Sequence, residues 1–338
     1  MLKAHWFPLL LFLIAVVLSL AEGIQAYQNR NAAEKSFAVY RAAEPVDTVW
    51  RGDNKYQIPT YSDSGKLIWY GRELIANTAY YLGPEGTVSK VSNGMNCQNC
   101  HMDAGTAPYG NNFGKVYATY PQYRARNNRI QSIYDRINDC LERSLNGKAL
   151  DSTDHEMQAM YAYIKWLGDD VPKGDARGGT GILKLKYLDT AADPGHGKQV
   201  YEMDCQSCHG NDGQGQPNTR GSGFTYPPLW GAHSYNDGAG LYRLSSFAGF
   251  VKDNMPYGTD YHHPKLTDEE AWDVAAFVNS QPRPHMDQSG DWKNIQQKPV
   301  DFPFGPYADG FPEKQHKYGP FKPILEVKNK NTGLIKYF

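Results

Sequence analysis

Apolar residues recur at helical spacing along this chain in short stretches separated by long loops. From Leu67 to Leu82 they fall at Leu67, Ile68, Leu74, Ile75 and Tyr81, and Gly83-Pro84 stops the pattern. A second stretch, Ile130 to Leu145, ends at Asn146-Gly147. A third runs to about Leu167, with Met157, Met160, Tyr161, Ile164 and Leu167 three or four apart and Ser152 or Thr153 as its cap. Two more follow: Gly197 to Met203, and Asp268 to Asn279, capped by Thr267 with Trp272, Ala276 and Phe277 as the packing face. The pattern predicts a mainly α chain with its helices in two groups, 27–168 and 194–283. A linker, 169–193, separates them, and its segment Lys173 to Gly181 is flexible by composition. Residues 27 to about 65 are polar and wrap the first group. Residues 284–338 are rich in Pro, Gly, Tyr and Phe without a sustained period, which predicts an ordered but irregular C-terminal extension.

The apolar run Leu9 to Ala21 stands apart. Lys3 precedes it and small residues follow, with Ala26 a suitable last residue before cleavage, so 1–26 reads as a secretory signal peptide. The alternative is an uncleaved anchor, which the shortness of the run disfavours and which is the only route to membrane contact. No cysteine precedes Cys97, which argues against a lipoprotein anchor. Net charge is −1 in 338 residues, so nothing in the overall balance points to nucleic acid or an anionic membrane surface. The 24 Tyr, 33 Gly and 21 Pro favour long ordered loops, as expected where a prosthetic group supplies much of the core.

That group is named by two pentapeptides, Cys97-Gln98-Asn99-Cys100-His101 and Cys205-Gln206-Ser207-Cys208-His209. Each has the Cys-x-x-Cys-His form that attaches haem c through two thioethers, with the His as proximal iron ligand. The two copies, about one small domain apart, predict two cytochrome c-type haem domains in tandem. Pro121 lies 20 residues after His101 and Pro228 lies 19 after His209, and each is expected to present its neighbouring carbonyl to that imidazole.

The sixth ligands differ between the domains. In the second, Met255 sits in a Met-Pro turn ahead of the Thr267 cap, with His262 and His263 as alternatives. The corresponding slot of the first falls beside Cys140, the one cysteine outside the motifs. Met102 is too close to His101, Met157 and Met160 fit core spacing, and His155 stands at a helix start. Cys140 is therefore the expected distal ligand of haem 1; the alternative is a small buried core residue. A thiolate stabilises ferric iron and lowers the potential, whereas methionine raises it, so electrons are expected to enter at haem 1 and leave through haem 2.

Arg136, Cys140 and Ser144 are spaced by fours along one helix face. The surrounding segment carries Lys115, Arg124, Arg126, Arg129, Arg136, Arg143 and Lys148 against Asp135, Asp139 and Glu142. This local excess of positive charge suits an oxyanion, because an Arg fork donates two parallel hydrogen bonds. A solvated basic face, or pairing with haem propionates, is the plainer alternative.

With these motifs, the Tyr120-Pro121-Gln122-Tyr123-Arg124 segment, and Arg136-Ile137-Asn138-Asp139-Cys140 through Ser144-Leu145-Asn146-Gly147, the chain resembles the dihaem thiosulfate dehydrogenases, or tetrathionate synthases, over about residues 50 to 285. The resemblance implies a periplasmic oxidoreductase with two covalently bound haem c groups, His/Cys ligation at the catalytic haem and His/Met at the second. It also implies substrate contacts from Arg126, Arg136 and Ser144. Some members carry Lys just before the methionine of haem 2; here that residue is Asn254, so no ligand exchange through it is expected. The reaction implied joins two thiosulfate ions to tetrathionate, with reversal as tetrathionate reduction. Cys140 would take a sulfane sulfur or form a mixed thiosulfonate adduct, and a cytochrome or other redox protein would accept the electrons. The rival class is a non-catalytic dihaem carrier serving another periplasmic enzyme; nothing points to a peroxidase.

Overall fold

The computed structural model describes residues 24–25, 49–52, 57–174, 178–219 and 221–332. The signal-peptide expectation lies outside these residues except for Ile24 and Gln25. Among the described residues, no helix is long and apolar enough to cross a membrane.

The first helical group consists of α1 (Asp63–Ala76), α2 (Ile133–Asp139) and α3 (His155–Leu167); the second consists of α4 (Pro194–Asp204), α5 (Leu244–Asn254) and α6 (Asp268–Ser280). In each group the first helix packs on the last, α1 on α3 and α4 on α6. Each first helix carries a glycine at its crossing. A Cβ on Gly71 would stand 2.0 Å from the Ala159 carbonyl oxygen, and one on Gly197 would stand 1.9 Å from that of Asp273. Any side chain would force the helices apart. The buried cluster runs unbroken through both groups, from Leu74, Leu141, Met157 and Leu167 to Val200, Tyr201 and Trp272, and on to Phe321 and Ile324 of the tail.

Several boundaries differ from the sequence pattern. The Leu67–Leu82 helix is broken at Asn77 into α1 and a short helix, Thr78–Leu82. The break serves the first haem motif: Thr78 Oγ1 accepts from the Cys97 amide at 2.9 Å, and Gln98 donates to the Ala76 carbonyl at 2.7 Å. The Ile130–Leu145 helix starts later, because Ser132 caps it in a reciprocal box with Asp135. Ile130 lies instead in a hairpin, β1 (Gln122–Arg124) with β2 (Arg129–Gln131). Asp154, rather than Ser152 or Thr153, stands at the N-cap of α3. Helix α5 has no counterpart in the sequence reading. Its Gly249 weakens the helical pattern, yet a Cβ there would meet the Leu183 carbonyl oxygen at 2.0 Å, so the position is set by the connector lying against it.

That connector is more closely tied than its composition suggests. Tyr109 donates its amide to Gly179 at 2.7 Å, Asn111 to Gly181 at 2.8 Å and Trp50 to Gly178 at 2.9 Å. Trp272 Nε1 reaches the Lys186 carbonyl at 3.2 Å. The C-terminal extension is largely turns, as expected, but adds helices at Glu313–Tyr318 and α7 (Lys322–Thr332). It is fastened by an ion pair between half-buried Arg243 and buried Asp301 and by Phe321 packing on Tyr187 and Trp272.

Candidate active site

The first Cys-x-x-Cys-His motif opens onto a cleft whose empty space, mouth included, is about 1130 Å³. Cys97, Cys100 and His101 line it together with Arg136, Cys140 and Ser144, three residues that α2 and its continuation bring to the same place. Past Asp139 the helix widens into a π turn, Cys140–Ser144, a distortion common where a helix presents functional groups. The remaining lining mixes aliphatic side chains, among them Ile75, Val116, Ile133, Ile137 and Ile164, with polar ones such as Asn96, Asn112 and Gln122.

His101 donates from Nδ1 to the Asn111 carbonyl at 2.5 Å. That bond fixes the tautomer and leaves Nε2 for a metal. Burial pushes the imidazole down to about 4, so it is neutral, the form that ligates iron. The carbonyl comes from Asn111, not from the neighbour of Pro121. Asn111 adopts a left-handed conformation, φ 57, which Asn tolerates better than most residues and which turns its carbonyl toward the ring. In the second domain the expectation holds: His209 Nδ1 donates to Pro227, the residue before Pro228, at 2.8 Å.

Cys140 and Arg136 are electrostatic neighbours. The charge of the Cys140 sulfur is the largest influence on Arg136 and holds its guanidinium above the ordinary value against burial. Burial pushes the Cys97 and Cys100 thiols up to about 12, and the Cys140 sulfur adds to both shifts, so all three sulfurs face one space. Lys115 and Arg124 complete a set of three cations on the cleft wall. A haem fits this cleft: its thioether anchors and a neutral imidazole are in place, Cys140 offers a sulfur from a separate element, and cations are available for propionates.

Arg126 does not line the cleft. Its guanidinium donates to the Gly238 carbonyl at 3.2 Å and lies 3.6 Å from Asp139. Burial and the nearby Arg143 push it down to about 10, with Arg136 contributing in the same direction. It therefore stands behind Arg136, in a buried cluster with Asp139, Arg143 and Asp291.

In the second domain Met255 is half-buried and packs against the core. His262 and His263 are exposed, with both amides on Asp260 Oδ1. His155, set aside in the first domain, stacks on Tyr70. Met157 and Met160 are fully buried on α3.

The same organisation recurs among known proteins. Residues 87–172 match the family "SoxA/TsdA, cytochrome c domain", and residues 195–282 match "Cytochrome c". Thiosulfate dehydrogenase of Stutzerimonas stutzeri is 36% identical over 238 residues, covering 69% of this chain and 74% of that protein. The Allochromatium vinosum thiosulfate dehydrogenase is 40% identical over 232 residues, 67% of this chain and 82% of its own. The chain belongs to the thiosulfate dehydrogenase family. A solved structure of thiosulfate dehydrogenase (TsdBA) from Marichromatium purpuratum superposes with a TM-score of 0.61 at 32% identity, over 66% of this chain and 47% of that one. The chain thus spans about half of that protein. As a thiosulfate dehydrogenase-family enzyme it has two cytochrome c domains in tandem, one for each of two haem c groups.

Sequence reasoning missed one residue of this thiosulfate dehydrogenase-family site, Asn111. Its signal was the Gly110-Asn111-Asn112 run, residue types that readily enter positive φ. Lys115 and Arg124 were within the basic segment, but nothing in their spacing separated them from Arg129, which pairs with Asp135 at 2.9 Å and is exposed.

Proposed function

We propose that this enzyme oxidises two thiosulfate dianions to tetrathionate at the first haem domain, outside the cytoplasm. The observation that carries the reading is the pairing of Cys140 with Arg136 in the cleft of the first haem motif. Among the described residues, no carboxylate stands within ion-pair distance of Arg136, and its guanidinium lines the cleft, open to an anion. Haem bound at each motif supplies the electron sink and the route outward. Two dianions repel each other, and cations are needed where they meet. Arg136 binds a sulfonate group, Ser144 offers it a hydrogen bond, and Arg126 sustains the positive potential from behind.

Cys140, as thiolate, bonds to the sulfane sulfur of the first thiosulfate, and this step releases two electrons. The product is a Cys140–S–sulfonate adduct. The second thiosulfate attacks the outer sulfane sulfur of that adduct; the new S–S bond completes tetrathionate, and Cys140 leaves as thiolate. No oxygen atom or proton is transferred, in keeping with a cleft that has no acid–base pair. The electrons pass toward the Met255 site and on to a redox acceptor protein. The same steps reversed reduce tetrathionate.

The test is a steady-state assay of the purified holoprotein with thiosulfate and an electron acceptor, and with tetrathionate and a donor. Turnover in either direction supports the reading. Its absence in both, with both haems loaded, makes the protein an electron carrier.

A further inference from the structure

The π turn that carries Cys140 and Ser144 is held in part from outside its own domain. Within the domain, the Cys140 carbonyl accepts from Leu145 at 3.0 Å and that of Leu141 from Gly147 at 2.9 Å. The next two carbonyls have no such partner on their own helix. The Glu142 carbonyl accepts from Asn236 Nδ2 at 2.9 Å, and that of Arg143 accepts from the Asn236 amide at 3.1 Å. Asn236 belongs to the second domain and is buried. Its side chain also reaches Asn146 at 3.0 Å, just past the turn. One residue thus caps the last carbonyls of the ligand-bearing helix, a task usually left to the residues that follow a helix.

The turn's own charge is settled from further away. Arg143 is 6% exposed and grips Asp291 through both terminal nitrogens, each at 2.9 Å. Among the described residues, the one other carboxylate paired with it, Asp139, is 3.9 Å away and is shared with Arg126. Two buried guanidinium groups therefore depend on two carboxylates, and Asp291 supplies the second. It lies in the C-terminal extension, beyond both cytochrome c matches. The extension is fixed at this point on both sides: the Met286 amide donates to Asp237 at 2.9 Å, and the Trp292 amide donates to the Arg126 carbonyl at 2.8 Å. Neither Asn236 nor Asp291 lines the cleft.

We infer that Asn236 and Asp291 are positioning residues for Cys140, so that the second domain and the C-terminal extension together set the geometry of the ligand turn. Without Asp291 a buried guanidinium loses its partner and is driven toward solvent. The Arg143 backbone, three residues from Cys140, moves with it. Without the Asn236 side chain the Glu142 carbonyl and the Asn146 side chain lose their donor, the backbone bond to Arg143 alone remains, and the π turn relaxes to recover the lost bonds. Both changes displace the sulfur while leaving the cleft-lining side chains unaltered in kind.

The inference rests on the reading of Cys140 as a haem ligand and sulfur-binding group, yet its test does not require turnover. Asp291→Asn, Asp291→Glu and Asn236→Ala are compared with the parent as holoproteins. The EPR spectrum of thiolate-ligated low-spin ferric haem reports on Cys140. The methionine–iron charge-transfer band of the second haem reports on the overall fold. Asp291→Asn and Asn236→Ala are expected to shift or lose the thiolate signal with the methionine band intact. Thiosulfate kcat should fall on the order of 10- to 100-fold, as for a misplaced reacting group, with KM less affected. Asp291→Glu should recover part of the signal. An unchanged thiolate spectrum in both variants overturns the proposal, as does loss of both haem signatures together, which marks general unfolding. A parent protein with the thiolate signal but no thiosulfate turnover would sink the functional reading alone, and the spectra would still decide the positioning role.

Discussion

His101 and Asn111 link the first haem motif to the connector between the domains: the imidazole Nδ1 donates to the Asn111 carbonyl at 2.5 Å, and the Asn111 amide donates to Gly181 at 2.8 Å. The bond makes the proximal imidazole a stronger donor to iron. Asn111→Val places a β-branched residue at φ 57, which costs about 1–2 kcal/mol and misdirects the carbonyl. A redox titration should show the potential of haem 1 raised in Asn111→Val and little changed in Asn111→Gly. Equal potentials in all three proteins would remove the carbonyl from any tuning role.

Arg136 is expected to contribute one charge-assisted interaction to substrate, worth about 1.5–3 kcal/mol. Arg136→Leu should therefore raise the KM for thiosulfate roughly 10- to 100-fold. Arg136→Lys keeps the charge but loses the fork and should fall between the two. Arg129→Leu, on the exposed hairpin, serves as control. If Arg136→Leu left KM unaltered, its guanidinium would belong to the propionates or to the surface.

Most helices of the two haem domains, the haem motifs and the proximity of Arg136, Cys140 and Ser144 were legible in the sequence because each rests on local spacing. A four-residue interval puts side chains on one face whether the turn is α or π. What escaped were features set by long-range partners. Asn111 orients His101 through a left-handed backbone that no periodicity announces. Arg126 and Arg136 look alike in sequence, and only folding buries one against Asp139 and turns the other toward the cleft. Helix α5 was hidden by Gly249, whose lack of a side chain answers to the connector rather than to the helix. The C-terminal extension is irregular in pattern because it is shaped by the surface it covers.

The two crossing glycines give a test of the shared domain plan. A methyl at Gly71 or Gly197 meets a carbonyl oxygen at 2.0 or 1.9 Å, and overpacking of this kind costs about 1–3 kcal/mol. Gly71→Ala and Gly197→Ala should each lower the urea midpoint of unfolding. Gly197→Ala should weaken the methionine band of the second haem first, and Gly71→Ala the thiolate signature of the first. A neutral effect in either would show that its crossing has room to give.

Acid should loosen the attachment of the C-terminal extension. Burial alone would raise Asp301, but the Arg243 guanidinium and the bonds from Ser245 outweigh it and hold the carboxyl below its ordinary value. A depressed carboxylate contributes stability that is fully present above the unfolded value, about 4. That contribution is lost as pH falls further, through the lower folded value. At neutral pH, Asp301→Ala takes the carboxylate from Arg243, whose side chain is one-third exposed, and should cost about 1.5–3 kcal/mol. The difference between parent and variant, read from urea unfolding, should shrink as pH drops below about 4. A pH-independent difference would contradict the pairing.

The central claim, that Cys140 is both the distal ligand of the first haem and the group that takes sulfur from thiosulfate, is tested most directly by Cys140→Met. The substitution offers the iron a neutral sulfur in place of a thiolate. The thiolate EPR signature should vanish, the potential of haem 1 should rise, and thiosulfate turnover should fall on the order of 1,000-fold or more while both haems remain attached. A Cys140→Met enzyme that kept full turnover with its haem 1 potential raised would contradict the claim, because ligation would have changed and the chemistry would not have noticed.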